Sequence, residues 1–232
     1  MKLFIVAGEK SGDKQGALVI RELLKRRPDL EITGLGGSRM HELAPGIEDW
    51  ADQAAVIGVV EVLRHIRYFA RRLKEMERRI AEEKPEGLLL IDYPGFNQRL
   101  AERVRRCSPT TKIAYFIAPM VWAWHKSRVP KLARVLDLML CTFPFEKPIF
   151  EAAGLRTEFV GHPLVDDIQA NRRTDVREKG LIGLFPGSRN REIERHFPVF
   201  LDLVQHLRKT HPEWRFETSA SSEKLAATMR RM

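Results

Sequence analysis

The residue of this sequence that is best placed for acid–base chemistry is Asp92. It follows Gly87–Ile91, five uncharged residues whose pattern predicts a strand buried on both faces of a parallel sheet. Because Pro94 and Gly95 come shortly afterwards, we expect Asp92 at the carboxyl edge of that sheet, where open α/β folds bind ligands. Two interpretations stay open at this point: Asp92 is a catalytic carboxylate, or it caps the helix that follows.

A second cluster of polar residues follows the first predicted strand, Lys2–Ala7. This glycine-rich turn contains Glu9, Ser11 and Asp13 and opens a predicted helix that ends near Arg27, with Asp13 as the expected N-cap. Because its two carboxylates make the turn acidic, contacts to sugar hydroxyls or amides suit it better than phosphate binding does. The alternative is that the glycines only allow a tight turn.

A third candidate site is the segment Pro186-Gly187-Ser188-Arg189, which follows the predicted strand Leu181–Phe185 and opens a helix. Gly187 lets the backbone approach a ligand, Ser188 offers a hydroxyl and a cap, and Arg189 offers a guanidinium fork. Together with the positive end of the helix, these groups are the components of a diphosphate site.

The elements that position these residues alternate between strand and helix, which predicts an α/β fold with a mainly parallel sheet. The other predicted strands are Leu30–Leu35, Lys112–Ile117, Leu136–Thr142, Arg156–Val160 and Trp214–Thr218. The polar segment Asp166–Gly180 is interpreted as an interdomain connection between domains 1–165 and 181–232. The second domain then has two strands, too few for a stable sheet, so the chain is a fragment or relies on a partner, a homodimer being one option.

Composition and charge limit the function classes. The chain has 232 residues, 44% of them hydrophobic, and a net charge of +9, which favours an anionic partner such as nucleic acid, a phosphorylated substrate or acidic lipid. We find no run of about 18 apolar residues and no signal peptide, so we expect a cytosolic location. Histidine and cysteine spacings match no metal site, so we predict neither a bound metal nor a cofactor.

The apolar stretch Val56–Ile66 leads into a predicted helix that ends near Glu83. Its basic residues recur at steps of three and four beside an apolar stripe, and they are Arg64, Arg67, Arg71, Lys74 and Arg78. This pattern predicts either a solvated basic face or contact with an anionic membrane surface. The neighbouring side chains are mainly aliphatic rather than aromatic, which disfavours nucleic acid.

Eight stretches of the chain, taken in order, resemble the lipid-A-disaccharide synthase family. They are Ala7–Asp13, Gly34–Met40, Gly58–Val62, Ile91–Asn97, Val121–Trp124, Phe143–Lys147, Gly161–Leu164 and Pro186–Arg189. The resemblance implies an inverting glycosyltransferase with two Rossmann-like domains (GT-B type), of which the second is incomplete here. It also implies an enzyme that uses no metal and is peripheral on the cytoplasmic face of the inner membrane. It also implies transfer of 2,3-diacylglucosamine from UDP to the 6-hydroxyl of 2,3-diacylglucosamine 1-phosphate.

The resemblance further assigns roles to individual residues. Asp92 would be the general base. The acceptor side would include Glu9, Ser11, Gly12, Asp13 and Asn97, and the UDP side Gly187, Ser188 and Arg189. The stretch from Val56 to Arg72 would meet acyl chains and lipid head groups, through Val56, Ile57, Val59, Val60, Leu63, Arg64, Arg67 and Arg71.

The family's chains continue beyond position 232 through the rest of the second domain. We therefore expect this chain to be weak or inactive as a catalyst on its own. Two alternatives to the transferase stay open: a fragment that only binds anionic lipid, and a related nucleotide-sugar epimerase.

Overall fold

The computed structural model describes residues 1–51, 59–124, 126–170 and 177–232. The chain forms two compact units, Met1–Asn171 and Arg172–Met232. The boundaries predicted at 165 and 181 stay a prediction, although helix Pro163–Ala170 occupies the first part of the predicted connection. Val56 and Ile57, which the sequence assigned to acyl chains, lie outside the described residues.

The first unit is built on a seven-stranded sheet in which every described pair of neighbours is parallel. Its strands are β1 (Lys2–Ala7), β2 (Glu31–Gly36), β3 (Gly46–Asp49), β4 (Gly87–Ile91), β5 (Lys112–Phe116), β6 (Leu138–Cys141) and β7 (Thr157–Phe159), in the spatial order β3-β2-β1-β4-β5-β6-β7. The predicted α/β class with a parallel sheet is confirmed. Strand β3 was not predicted, because Ile47 is the only buried residue among its four.

Helices connect the strands and cover both faces of the sheet. They are α1 (Lys10–Arg26), α2 (Ser38–Leu43), α3 (Val59–Glu83), α4 (Pro94–Cys107), α5 (Val121–Trp124), α6 (Val129–Val135), α7 (Glu146–Glu151) and α8 (Pro163–Ala170), with a 3₁₀ turn at Lys126–Arg128 before α6. Strand β1 illustrates the two-sided core, since Phe4 and Val6 enter one buried cluster while Ile5 and Ala7 enter the other. A central strand that is buried on both faces explains the uninterrupted apolar pattern of the sequence.

The predicted role of Asp13 as the N-cap of α1 is wrong. Helix α1 begins at Lys10 with Glu9 at the N-cap, so Asp13 lies inside its first turn. The carboxylate of Asp13 is buried and accepts hydrogen bonds from the backbone N–H groups of Gly37 (2.9 Å) and Met40 (3.0 Å). It therefore satisfies the first amides of α2 from a neighbouring helix, which ties the turns after β1 and β2 together.

Helix α3 has the amphipathic character that the sequence predicted, with a buried stripe that includes Leu73, Met76 and Ile80. Arg67 and Arg71 are exposed, and Ile66, predicted as part of the apolar stripe, is 50% exposed. For Val59, Val60, Leu63 and Arg64 the backbone is helical, but their side chains lie outside the description.

Arg72, the last residue of the stretch predicted to meet lipid, is buried instead of facing outward. It is 8% exposed and pairs with Glu48 at 2.7 Å and with Glu75 at 2.8 Å. Its guanidinium carbon also lies 5.7 Å from the centre of the Trp50 ring. Arg72 therefore anchors α3 to the edge of the sheet.

The second unit has a two-stranded parallel sheet of β8 (Leu181–Leu184) and β9 (Arg215–Thr218). Helices α9 (Asn190–Thr210) and α10 (Glu223–Arg230) share a small core of Ile193, Phe197, Leu225 and Met229. Across the described ranges of both units, no helix is long and apolar enough to cross a bilayer.

Candidate functional site

The first candidate site lies where the direction of strand addition reverses. From β1 the chain proceeds outward to β2 and β3, and it then returns to place β4 on the other side of β1. Open α/β sheets bind ligands at such a switch point, beyond the carboxyl ends of the strands. Because Ala7 is the register partner of Ile91, the turn that contains Glu9 and the turn that contains Asp92 leave the sheet side by side.

The backbone of Asp92 is held in an unusual conformation. Asp92 and Tyr93 have φ values of 47° and 48°, in the left-handed region that residues other than glycine rarely adopt. The carbonyl oxygen of Asp92 accepts hydrogen bonds from the Tyr115 hydroxyl at 2.5 Å and from the Asn97 side-chain amide at 2.8 Å. These two donors hold the turn that presents the Asp92 side chain at the switch point.

Tyr93 connects the two turns by direct packing. A Cβ atom placed on Gly8 would lie 2.2 Å from the Tyr93 ring, so the ring rests directly on the Gly8 backbone. The Tyr93 ring also packs edge-on against the Trp50 ring, with ring centres 5.9 Å apart. The Trp50 indole in turn donates to the Ala7 carbonyl at 2.7 Å. Gly8 is therefore required for close approach and not for a positive φ.

Burial raises the pKa of the Asp92 carboxyl above its ordinary value of 3.8, and the backbone N–H of Tyr93 partly offsets this effect. Burial, with a contribution from Glu9, also raises the pKa of the Tyr93 phenol to about 12, so the phenol stays protonated. A carboxylate with a raised pKa is a stronger base than one in water, and general bases work best when their pKa approaches the working pH.

The alternative that Asp92 caps the next helix is wrong. Helix α4 begins at Pro94, with Tyr93 at the N-cap position. Proline suits the first helical turn because its missing N–H would have no partner there. The left-handed turn thus separates Asp92 from the helix, which leaves the carboxylate available for chemistry.

The predicted acceptor-side residues divide into two groups. Glu9 and Ser11 are exposed at the switch point, whereas Gly12, Asp13 and Asn97 are buried. The Asn97 amide nitrogen donates to the carbonyls of Ile91 (3.2 Å) and Asp92 (2.8 Å). The structure therefore gives Asp13 and Asn97 supporting roles, and of this predicted set it leaves Glu9 and Ser11 accessible to a sugar.

A buried carboxylate that the sequence analysis missed lies further along the same edge. Glu146 is 1% exposed and accepts hydrogen bonds from the Trp122 indole N–H and from the Phe143 backbone N–H, both at 3.1 Å. The Phe145 ring meets the Trp122 ring edge-on, with centres 4.9 Å apart. Glu146 thus fixes an aromatic corner after β5 and β6, and its position inside the Phe143–Lys147 motif was the available signal.

In the predicted diphosphate segment of the second unit, backbone N–H groups donate to a carboxylate of the same chain. Glu192 Oε2 accepts hydrogen bonds from the backbone N–H groups of Ser188 (2.8 Å) and Arg189 (3.1 Å), and Glu192 Oε1 lies 3.3 Å from the Arg189 guanidinium. Gly187 has a φ of 125°, a value that favours glycine. These N–H groups can bind an anion, but a diphosphate that used them would have to displace Glu192.

Solved enzymes that act on nucleotide sugars share the fold of this chain. Two UDP-GlcNAc 2-epimerases share it: the enzyme from Methanocaldococcus jannaschii, solved with UDP-GlcNAc and UDP (TM-score 0.63, 14% identity), and the enzyme from Neisseria meningitidis, bound to UDP-GlcNAc (TM-score 0.61, 11% identity). They match 100% and 99% of this chain, which covers 68% of each. At such low identity the likeness defines the fold alone.

The sequence comparisons identify the family. The family described as lipid-A-disaccharide synthetase matches residues 3–232. The lipid-A-disaccharide synthases of Geobacter sulfurreducens and Nitrosococcus oceani are 43% and 40% identical over 93% and 90% of this chain. The chain belongs to the lipid-A-disaccharide synthase family, as the resemblance implied. It spans 58% and 56% of the length of these two relatives.

The close contact between Gly8 and Tyr93 gives a stability prediction. Gly8→Ala must displace the Tyr93 ring, and we expect a loss of about 1–3 kcal/mol in the free energy of unfolding, as for other overpacked sites. The matched control is Gly95→Ala, where no atom lies within 4 Å of the added Cβ. Urea unfolding of the three proteins makes the comparison; equal stability of the two variants would contradict the packing described here.

Proposed function

We propose that the complete protein transfers 2,3-diacylglucosamine from UDP to the 6-hydroxyl of 2,3-diacylglucosamine 1-phosphate. The products are the β-linked lipid A disaccharide 1-phosphate and UDP. The observation that carries this proposal is the partly buried Asp92 carboxylate at the switch point, in a chain 43% identical to a lipid-A-disaccharide synthase.

In this mechanism Asp92 removes the proton of the acceptor 6-hydroxyl as its oxygen bonds to the anomeric carbon of the donor. The bond between that carbon and the UDP β-phosphate oxygen breaks on the opposite face, so the configuration inverts. Glu9 and Ser11, exposed beside the Asp92 turn, bind hydroxyl or amide groups of the acceptor sugar. No metal or cofactor takes part in the proposed mechanism.

The leaving UDP requires positive charge at its diphosphate. We assign this role to Arg189 and to the Gly187 and Ser188 amides at the start of α9, because preorganised N–H donors stabilise developing negative charge. The Ser188 amide donates to Glu192 at 2.8 Å, so UDP binding at this amide includes displacement of that carboxylate. The epimerase neighbours favour no other reaction for this chain, since they share its fold alone.

The acyl chains of both substrates place the reaction at a membrane surface. The exposed Ile66 beside the exposed Arg67 and Arg71 supports contact of α3 with the anionic cytoplasmic face of the inner membrane. We propose that further strands extend the two-stranded sheet of the second unit. They come from the longer polypeptide that the relatives have or, as the alternative, from a second copy in a homodimer.

The proposed base predicts the activity of one variant. In a chain extended to the length of its relatives, Asp92→Asn should lower disaccharide formation about 10²- to 10⁴-fold, as expected for a lost general base. Asp49→Asn is the matched control, since Asp49 is an exposed carboxylate at the end of β3. Product chromatography with both acylated sugars measures the rates; full turnover by Asp92→Asn would refute the role, and absence of disaccharide from the parent would refute the function.

The proposed membrane contact predicts a charge dependence. Each basic residue near an anionic surface contributes about 1 kcal/mol, so Arg67→Glu with Arg71→Glu should weaken binding to phosphatidylglycerol vesicles at least roughly thirtyfold. The control is Arg106→Glu with Arg134→Glu, two exposed arginines on α4 and α6. Sedimentation with vesicles compares the two; an equal loss in the control would mean that net charge, and not α3, determines binding.

A further inference from the structure

A groove opens in the first unit, beside the turn that holds Asp92. It lies between the start of α4 and the segment that forms the 3₁₀ turn and α6, and its cavity measures about 230 Å³. The residues that matter for its chemistry are Gly95, Gln98, Arg99, Glu102, Arg128 and Lys131. We call it the basic groove.

Three cations line the basic groove without partners. Within the described ranges of the chain, the side chains of Arg99, Arg128 and Lys131 make no hydrogen bond and no ion pair. Two other arginines on α4 are paired, since Arg103 lies 2.7 Å from Glu77 and Arg105 lies 2.5 Å from Asp137, whereas Arg106 is exposed and has no partner among the described residues. The positive charges of the groove are therefore not used to stabilise the fold, and Glu102 is the single acid in its lining.

Two uncharged features add donors to the same place. Gln98, in the wall of the groove, has a side-chain nitrogen that is shielded from solvent and finds no acceptor among the described residues. Helix α4 begins at this end of the groove and has neither a side-chain cap nor an acidic residue in its first turn. Its positive end is thus uncompensated, which favours an anion there.

The size and position of the groove narrow the ligand. A cavity of about 230 Å³ is smaller than the roughly 300–1,000 Å³ of sites for drug-sized molecules, so it suits a head group and not a whole lipid. Pro94 and Gly95, at its mouth, follow Asp92 by two and three residues in the chain. The groove therefore begins two residues beyond the proposed base.

We propose that the basic groove binds a phosphate monoester, and that in the proposed reaction this is the 1-phosphate of the acceptor sugar. The assignment of the ligand rests on the proposed function, whereas the anion site rests on the groove itself. Arg128 and Lys131 contact the phosphate oxygens from the turn before α6 and from α6 itself, and Gln98 with the Gly95 backbone amide of α4 donates from the opposite wall. Arg99 supplies the third positive charge.

The experiment titrates the ¹⁵N-labelled 232-residue chain with inorganic phosphate and with glucosamine 1-phosphate at constant ionic strength. We expect the signals of Gly95 and of the Gln98 side-chain amide to shift with both probes. Arg128→Gln and Lys131→Gln should each weaken binding about tenfold, because a hydrogen bond to a charged group contributes enough for that factor. Arg106→Gln and Arg134→Gln are the controls, exposed arginines on the same two helices that do not line the groove.

Three outcomes would overturn the proposal. The first is an absence of shifts at Gly95 and Gln98, and the second is an equal loss of affinity in the controls. The third is a response of these signals to phosphatidylglycerol vesicles but to neither inorganic phosphate nor glucosamine 1-phosphate, which would make the groove a membrane contact.

The result separates this proposal from the proposed function. If the extended chain forms disaccharide but the groove binds no phosphate, the groove proposal is refuted and the proposed function stands. If phosphate binding depends on Arg128 and Lys131 but the extended chain forms no disaccharide, the anion site is supported and the transferase function is refuted.

Discussion

Two hydrogen-bond donors, the Tyr115 hydroxyl and the Asn97 amide, converge on the carbonyl of Asp92 and hold the turn on which the candidate site depends. A left-handed conformation costs roughly 1–3 kcal/mol for each residue other than glycine, and both Asp92 and Tyr93 adopt it. Each hydrogen bond contributes about 1 kcal/mol in return, and the Tyr93 ring adds its packing on Gly8. The surrounding core thus maintains a strained turn that places one carboxylate at the switch point of the sheet.

Carboxylates that accept backbone N–H groups fix other turns of the molecule. Asp13 binds the first amides of α2, and Glu146 joins the loops after β5 and β6. In the second unit Glu192 accepts hydrogen bonds from the amides of Ser188 and Arg189, immediately before α9. Asp13 and Glu146 are buried and serve the fold, whereas the Glu192 contacts are exposed and occupy donors that suit a phosphate. The proposed displacement of Glu192 by a diphosphate relies on this exposure.

The sequence predicted well the elements whose signal is local. Strands β1 and β4 begin and end where the apolar runs do, because glycine, proline and charged residues bound them closely. Contacts between distant elements were beyond it. Asp13 is a residue type typical of an N-cap, but its carboxylate accepts hydrogen bonds from amides of a helix that starts 25 residues later. The residue type of Asn97 likewise does not indicate that its amide donates to the backbone carbonyls of Ile91 and Asp92. The family followed from eight motifs in order, a signal that no single residue carries.

Folding holds the Asp92 carboxyl partly out of water, and its proposed role as the base depends on this burial. The most direct test is the titration of this carboxyl by ¹³C NMR in the labelled chain, with the signal assigned by its loss in Asp92→Asn. We expect a midpoint above the ordinary value of 3.8, since burial disfavours the charged form. A midpoint at or below 3.8 would mean that the carboxylate is solvated or paired, which would contradict the burial described here.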